Sequence, residues 1–356
     1  MQQSQPSTTE LRERLDRFAF RGLHPAVRFG TTSDRYAGWI GQIYAADFED
    51  RVAKRTRTLG GKKYEERTVP VESTVDYFQH YDVLEVDFTY YRPLVDEDGK
   101  PTNNSAVLQR YAEFAPDDAR FILKVPNQFF SRRIVHRSAA SGDQDANPDY
   151  LNFDKYEVQF HRPAVKILGE RLGGILFEQE YQRKGDSPSS AENVDELDAF
   201  FRRVGREAPL HVEMRSPHLL DEQFFDWLET VGVGYVFSHW TWLPPLRKQW
   251  RMCGERFTEA GGESMVRLLT PLRVPYAKAY AATHPFDKVV DEIANSDEAN
   301  RMKLDTVALA MAALRSGATL NILANNRAWG NAPELSRAIA ERLIAEFESN
   351  REDRQG

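Results

Sequence analysis

Five short apolar segments of this chain carry ionisable side chains where a buried β-strand ordinarily holds only hydrocarbon. They are Leu84-Glu85-Val86-Asp87, Ile122-Leu123-Lys124, Ile175-Leu176-Phe177-Glu178, Val212-Glu213-Met214-Arg215 and Val266-Arg267-Leu268. Burying an unpaired charge costs several kcal/mol, so such groups pair with one another or with a ligand. Side chains alternate along a strand, which turns Glu85 and Asp87 the same way, and likewise His211, Glu213 and Arg215. The pattern predicts a charged pocket on an otherwise apolar scaffold.

The residue types specify the chemistry. Arg215 and Arg267 present planar forks suited to a carboxylate or phosphate, and Lys124 adds a point charge whose pKa can fall on burial. Glu213 is the preferred general acid or base and Glu178 its partner, if their surroundings keep one protonated and one ionised near neutrality. Glu213, Glu178 and Lys124 thus form the candidate catalytic set. Arg215, Arg267, Asn325, Asn326, Thr31, Asp87 and Tyr91 form the candidate substrate-binding set. Two other readings stand beside this one. The charges can neutralise each other as an internal ionic plug, or the same mouth can serve a non-catalytic module that holds nucleic acid or protein.

Other segments carry weaker signals. Asn325-Asn326, followed by Gly330-Asn331-Ala332-Pro333, suits either an anion at a helix amino terminus or an ordinary cap. Gly30-Thr31-Thr32-Ser33-Asp34-Arg35 is only loosely a phosphate loop, since it lacks the Gly-Lys-Ser/Thr ending. Arg51, Lys54, Arg55, Arg57, Lys62 and Lys63 form a basic run around Gly60-Gly61, which reads first as solvated surface and second as a lid attracting anions. Arg132, Arg133, His136 and Arg137 would extend that basic face. In Ser238-His239-Trp240-Thr241-Trp242 the tryptophans either stack on a flat ligand or roof the core, and His239 has no committed role. No local metal-ligand spacing occurs, and the neighbouring cations oppose a metal; the expected site needs neither metal nor cofactor.

Positioning these residues requires strands that alternate with helices. Strand-like runs fall at Ala26–Gly30, Val83–Asp87, Arg120–Lys124, Gly174–Glu178, Leu210–Met214, Gly234–Ser238, Met265–Leu269 and Thr319–Leu323. Helical spacing occupies Val75–Tyr81, Gln159–Leu172, Val194–Val204, Asp221–Val231, Phe286–Leu314 and Glu334–Phe347, with Asp221 as an N-cap and Gly232 as a stop. Eight alternating units predict an α/β fold, a (β/α)8 TIM-type barrel, ahead of an open doubly wound sheet. Long connections near 45–70, 130–158 and 239–263 then lie on the carboxyl-terminal face, where barrel enzymes build their sites. Ser7 and Glu10 have capping-box spacing before Leu11, Leu15 and Phe18, which predicts a short packing helix. The expected organisation is a helical extension over 1–24, the barrel over 25–350 and a tail over 351–356.

Composition sets outer bounds. The 356 residues, 41% hydrophobic, suffice for one barrel or two ordinary domains. A net charge of -7 argues against global attraction to nucleic acid. The single cysteine, Cys253, excludes an intramolecular disulfide and a cysteine zinc cage, consistent with a reducing compartment. No stretch approaches the ~20 apolar residues of a spanning helix, and the first ten residues are polar, so a cytoplasmic protein without contact to a membrane is expected.

Taken together, several segments resemble the DUF72 family, which includes the YecE-like proteins. They are Gly30-Thr31-Thr32 with Tyr36-Ala37-Gly38-Trp39 and Tyr44, Leu84-Glu85-Val86-Asp87-Phe88-Thr89-Tyr90-Tyr91, Phe121–Pro126, Leu172–Phe177, Val212–Arg215, and Asn325-Asn326 with Gly330–Pro333. The resemblance runs in order from about Val27 to Leu343 and implies a TIM-type barrel. It also marks a divergent member. Asp87 stands where the family usually has Asn and Glu178 where it has Gln, and Val266-Arg267-Leu268-Leu269-Thr270 keeps an Arg but lacks a following His and Gly. The resemblance implies no reaction. The functional expectation is an enzyme, a hydrolase, lyase or isomerase, acting by acid/base chemistry on a small anionic substrate, phosphorylated ones included.

Overall fold

The computed structural model describes residues 8–135 and 144–352. In chain order the strands are β1 (Val27–Thr32), β2 (Ala53–Leu59), β3 (Lys62–Thr68), β4 (Val83–Val86), β5 (Arg120–Lys124), β6 (Arg133–Val135), β7 (Gln144–Ala146), β8 (Leu172–Gln179), β9 (Leu210–Met214), β10 (Gly234–His239), β11 (Glu263–Leu268) and β12 (Thr319–Ala324). Eight of them close into a parallel barrel in the order β1-β12-β11-β10-β9-β8-β5-β4, with helices between successive strands. This is the (β/α)8 arrangement that the alternation predicts, and each of the eight expected runs is a barrel strand. β2 and β3 form a separate antiparallel hairpin, as do the short β6 and β7.

By contact density the chain divides into two compact units. One comprises the chain up to Val83, His239–Thr241 and everything from Val266 onward; the other comprises Leu84–Ser238 and Trp242–Met265. In the second unit strand alternation is plain. Phe177 turns outward onto Phe201, with ring centroids 4.8 Å apart, and its neighbour Glu178 turns the opposite way. Tyr235 likewise meets Phe225 at 5.0 Å. The helix Glu222–Val231 begins where Asp221 accepts from the Phe224 amide and ends at Gly232 in the left-handed conformation, φ 67°. Ser189 and Glu192 form a reciprocal capping box for the helix Ser190–Phe201.

In the first unit, β1 and β12 pair from Val27↔Leu320 to Thr31↔Ala324. Gly30 permits a close approach there: a Cβ at that position would stand 2.1 Å from the Val83 carbonyl oxygen. The basic run expected as a loop is the β2–β3 hairpin. Gly60 and Gly61 both take positive φ, 57° and 77°, as a two-residue turn matching the strand twist requires. Four of the six cations in that run are ion-paired: Lys54 with Glu65, Arg55 and Arg57 with Glu66, and Arg51 with Glu72.

Several helices differ from their expected spans. The apolar run Phe286–Leu314 is interrupted: Asp291–Ala294 is one short turn, and a helix starts afresh at Asp297, where Ser296 accepts from the Ala299 amide. The helix Thr8–Asp16 stops before Phe18, whose φ is 54°. The Ser7 cap, His136, Arg137 and the final four residues lie outside the described residues. Among the described residues no helix is long and apolar enough to cross a membrane.

Candidate functional site

Lys124, Glu178, Glu213 and Arg215 meet at the carboxyl-terminal ends of β5, β8 and β9. The register sets this directly, pairing Lys124 with Leu176 between β5 and β8, and Glu178 with Glu213 between β8 and β9. Lys124 Nζ lies 2.6 Å from Glu178 Oε2, and an Arg215 guanidinium nitrogen lies 2.7 Å from Glu178 Oε1. The other Arg215 terminal nitrogen reaches Glu213 Oε2 at 3.4 Å, and Ser238 Oγ donates to Glu213 Oε1. Both oxygens of both carboxylates thus accept hydrogen bonds. Two cations and two anions make a cluster whose formal charges sum to zero.

Exposure differs across the cluster. The Glu178 and Glu213 side chains are 3% and 0% exposed, whereas those of Lys124 and Arg215 are 9% and 17% exposed. The carboxylates lie beneath and the cations toward solvent. Tyr90 flanks them, with Lys124 Nζ 4.1 Å from its ring centroid, a favourable cation–π approach. Thr89 holds this corner by donating to the Lys124 carbonyl at 2.7 Å. Burial, with the nearby Glu178 charge adding to it, pushes the Tyr90 hydroxyl well above its ordinary range.

Two residues here lie outside the candidate catalytic and substrate-binding sets read from the sequence. Tyr90, rather than its neighbour Tyr91, covers Lys124; Tyr91 is exposed and packs edge-on against Tyr90 at 5.4 Å. The second is Glu180, two residues beyond Glu178. One of its oxygens accepts from the Arg133 amide at 3.1 Å, while Oε2 is buried without a hydrogen-bond partner among the described residues. Burial raises its pKa despite the backbone amides that oppose the shift. An i, i+2 repeat of Glu at a strand end was the available signal for Glu180, and the Tyr-Tyr pair directly after β4 was the one for Tyr90.

The remaining candidates are distributed differently. Asp87 ends β4 in the same unit, half-buried at the start of the turn Phe88–Tyr91. Thr31, Arg267, Asn325 and Asn326 belong to the other unit. There Thr31 is fully buried and bonded to the Ser33 carbonyl and the Tyr77 hydroxyl. Asn325 caps the turn Asn326–Trp329 by accepting from the Arg327 amide at 2.9 Å, and its amide donates to Thr32. Asn326 Oδ1 accepts from Trp39 Nε1 at 3.1 Å and from the Ala332 amide at 2.8 Å. These asparagines carry structural hydrogen bonds of the kind their caps-and-turns reading describes. Arg267 is buried on β11.

His239 is likewise committed to structure. Its Nδ1 donates to the Thr270 carbonyl at 2.9 Å, and burial lowers its pKa to about 4. Cys253 is buried and its thiol is pushed up to about 12, so it is no thiolate nucleophile. Among the described residues, no three His, Cys, Asp or Glu side chains gather in a way that would hold a metal ion.

A closed parallel barrel with an ionic cluster at its carboxyl-terminal strand ends defines a TIM-barrel protein with a candidate site in the usual place for that fold. The model of the family described as "Protein of unknown function DUF72" matches residues 28–355, and this chain belongs to that family. Among solved structures, a DUF72 family protein from Thermotoga maritima is similar at 16% identity, covering 90% of this chain and 99% of that one, with a TM-score of 0.50. A DUF72 family protein from Enterococcus faecalis is similar at 13% identity over 90% and 98% of the two chains, with a TM-score of 0.52. At these identities the likeness speaks for the fold alone. No curated protein matches the chain.

Proposed function

We propose that this protein is an enzyme whose pocket, at the carboxyl-terminal ends of β5, β8 and β9, binds a small anionic substrate through Lys124 and Arg215. In this reading Glu213 exchanges a proton with that substrate, and Glu178 holds the two cations in place. The observation that carries the proposal is the sharing of one buried carboxylate, Glu178, by two cations that are themselves more exposed. Arg215 is the more accessible of the two, 17% exposed against 9% for Lys124, and a guanidinium suits a carboxylate or phosphate. Glu213 bonds to the neutral hydroxyl of Ser238 as well as to Arg215, which places its carboxylate beside any anion that Arg215 holds.

The ionic-plug reading rests on the same four residues and is separated from this one by binding. The nucleic-acid alternative draws less support, because four of the six cations that motivated it are paired with Glu65, Glu66 and Glu72. The test is calorimetric titration of phosphate and of small carboxylates into the full chain and into Arg215→Gln and Lys124→Gln variants. Saturable binding that each variant weakens at least tenfold supports the pocket. Absence of binding to the wild-type protein, or binding that both folded variants retain, overturns it.

A further inference from the structure

Among the described residues only six large hydrophobic side chains stand exposed: Val75, Tyr91, Val158, Tyr181, Trp242 and Leu304. The three aromatic ones share a placement that the other three do not. Tyr91 follows the end of β4 by five residues, Tyr181 follows β8 by two and Trp242 follows β10 by three. All three belong to the unit that contains Lys124, Glu178, Glu213 and Arg215. Exposing a Trp or Tyr forgoes the burial energy that such rings otherwise supply, so three of them following strands of this one unit call for a reason.

We infer that the pocket takes an anion that carries a ring, a phosphorylated sugar or a nucleotide, with the charge on Arg215 and Lys124 and the ring against Tyr181 and Trp242. This rests on the anion-binding reading above and specifies the rest of the ligand. Tyr181 and Trp242 meet at a centroid distance of 6.3 Å with planes tilted by 41°, and they are 43% and 47% exposed. They support each other while leaving ring surface open to solvent. The platform is also tied to the charges. The Gln182 amide donates to Ser216 Oγ at 2.9 Å, which fixes the residue after Tyr181 to the residue after Arg215. With ~3.8 Å between successive Cα atoms, the Tyr181 and Arg215 Cα atoms are no more than about 14 Å apart. A bare inorganic anion on Arg215 would leave the platform unused, whereas a sugar or nucleoside ring one phosphoester away would span that interval. Tyr91 packs on Tyr90, whose ring covers Lys124.

The test titrates three probes into the full chain by calorimetry: inorganic phosphate, ribose 5-phosphate and adenosine 5′-monophosphate. The expected result is at least tenfold tighter binding of a ring-bearing probe than of phosphate, in line with the value of one stacked ring. Trp242→Ala and Tyr181→Ala, both at exposed positions, should abolish that advantage and leave phosphate affinity unchanged. A nucleotide that outbinds the sugar phosphate identifies the base as the stacked ring, and equal affinities identify the sugar. If phosphate binds through Arg215 but neither ring compound binds more tightly, or if Trp242→Ala leaves the advantage intact, the ring inference is overturned while the anion pocket stands. If none of the three binds, both fall.

Discussion

Glu178 and Glu213 sit directly opposite each other in the β8–β9 register, two carboxylates on one face of neighbouring parallel strands, and the single guanidinium of Arg215 joins them. Like charges so placed repel, and the repulsion grows as water is removed. The sheet geometry therefore demands a cation at this point. Arg215, two residues beyond Glu213 on the same face, supplies it with a fork that reaches both acids, and Lys124 from β5 supplies the second charge. One consequence is that the four side chains act as a unit, and removing one changes the protonation or position of the others.

Arg215→Ala should therefore cost more than an ordinary surface ion pair. It takes a cation away from the fully buried Glu213, and a broken buried pair typically costs about 3–5 kcal/mol. Urea unfolding at pH 7 should show a loss in that range. A loss no larger than that of an exposed ion pair, below about 1 kcal/mol, would contradict the coupling described here.

Replacing all four members with apolar residues of similar size, Lys124→Met, Glu178→Leu, Glu213→Leu and Arg215→Met together, should have a different outcome. Buried ionic groups exchanged as a set for hydrocarbon leave stability nearly unchanged or raised, because every desolvation cost disappears along with every attraction. The quadruple variant should unfold within about 1–2 kcal/mol of wild type while losing anion binding. A quadruple variant as unstable as Arg215→Ala would show that the cluster holds the barrel together.

Much of this architecture was legible in the sequence because strands buried on both faces read as short apolar runs, and a charge inside such a run is conspicuous. Lys124, Glu178, Glu213 and Arg215 stood out in this way, and period-two alternation correctly grouped Glu213 with Arg215. Short-range signals were harder to weigh. Gly60-Gly61 between two polar stretches is a hairpin turn signal, but β2 and β3 carry so many charges that they read as loop; their strand character comes from cross-strand ion pairs such as Arg57 with Glu66. Asn325 and Asn326 looked like ligand groups or caps with equal justice, since an amide serves either purpose and only the partner decides. The partners are Arg327, Trp39 and Ala332 within the fold. Tyr90 was passed over because nothing in a Tyr-Tyr pair says which ring turns toward a lysine.

Gly30→Ala tests how tightly β1 is packed. The added Cβ would lie 2.1 Å from the Val83 carbonyl and 2.6 Å from Val83 Cγ1, inside any tolerable contact, and the obstacle includes backbone. Moving one strand of a barrel strains its hydrogen-bonded neighbours, so overpacking at the upper end of the usual ~1–3 kcal/mol or beyond is expected. Thermal denaturation of Gly30→Ala should show a clearly lowered Tm, whereas Gly185→Ser, at a turn with open space around it and no positive φ, should lower it much less.

Glu180→Gln is expected to stabilise the protein at neutral pH. Burial raises the Glu180 pKa above its unfolded value, so the folded state binds more protons than the unfolded state above about pH 4.5. Stability from this group is present at low pH and falls as pH rises through the folded-state pKa. A neutral amide keeps the bond from the Arg133 amide and removes the charge. The difference in unfolding free energy between variant and wild type should grow from pH 4 to pH 7; a difference that is constant with pH would remove Glu180 as its source.

His211 gives the opposite dependence, in a neighbouring pH window. It is fully buried on β9, neither ring nitrogen has a hydrogen-bond partner among the described residues, and burial lowers its pKa to about 4. The ring occupies space that Gly234 leaves open, since a Cβ there would stand 2.3 Å from Nδ1. The unfolded chain takes up a proton on this histidine near pH 6.5 and the folded chain only near pH 4, so stability falls as pH drops from 6.5 to 4. Over that whole interval the group contributes a loss of about 3 kcal/mol. His239, whose pKa burial likewise lowers to about 4, adds a second increment in the same window. His211→Leu, which removes the titration without adding a polar group, should flatten the decline measured by urea unfolding between pH 6.5 and 4. If the slope in His211→Leu equals that of wild type, the imidazole is not the buried neutral group this geometry makes it.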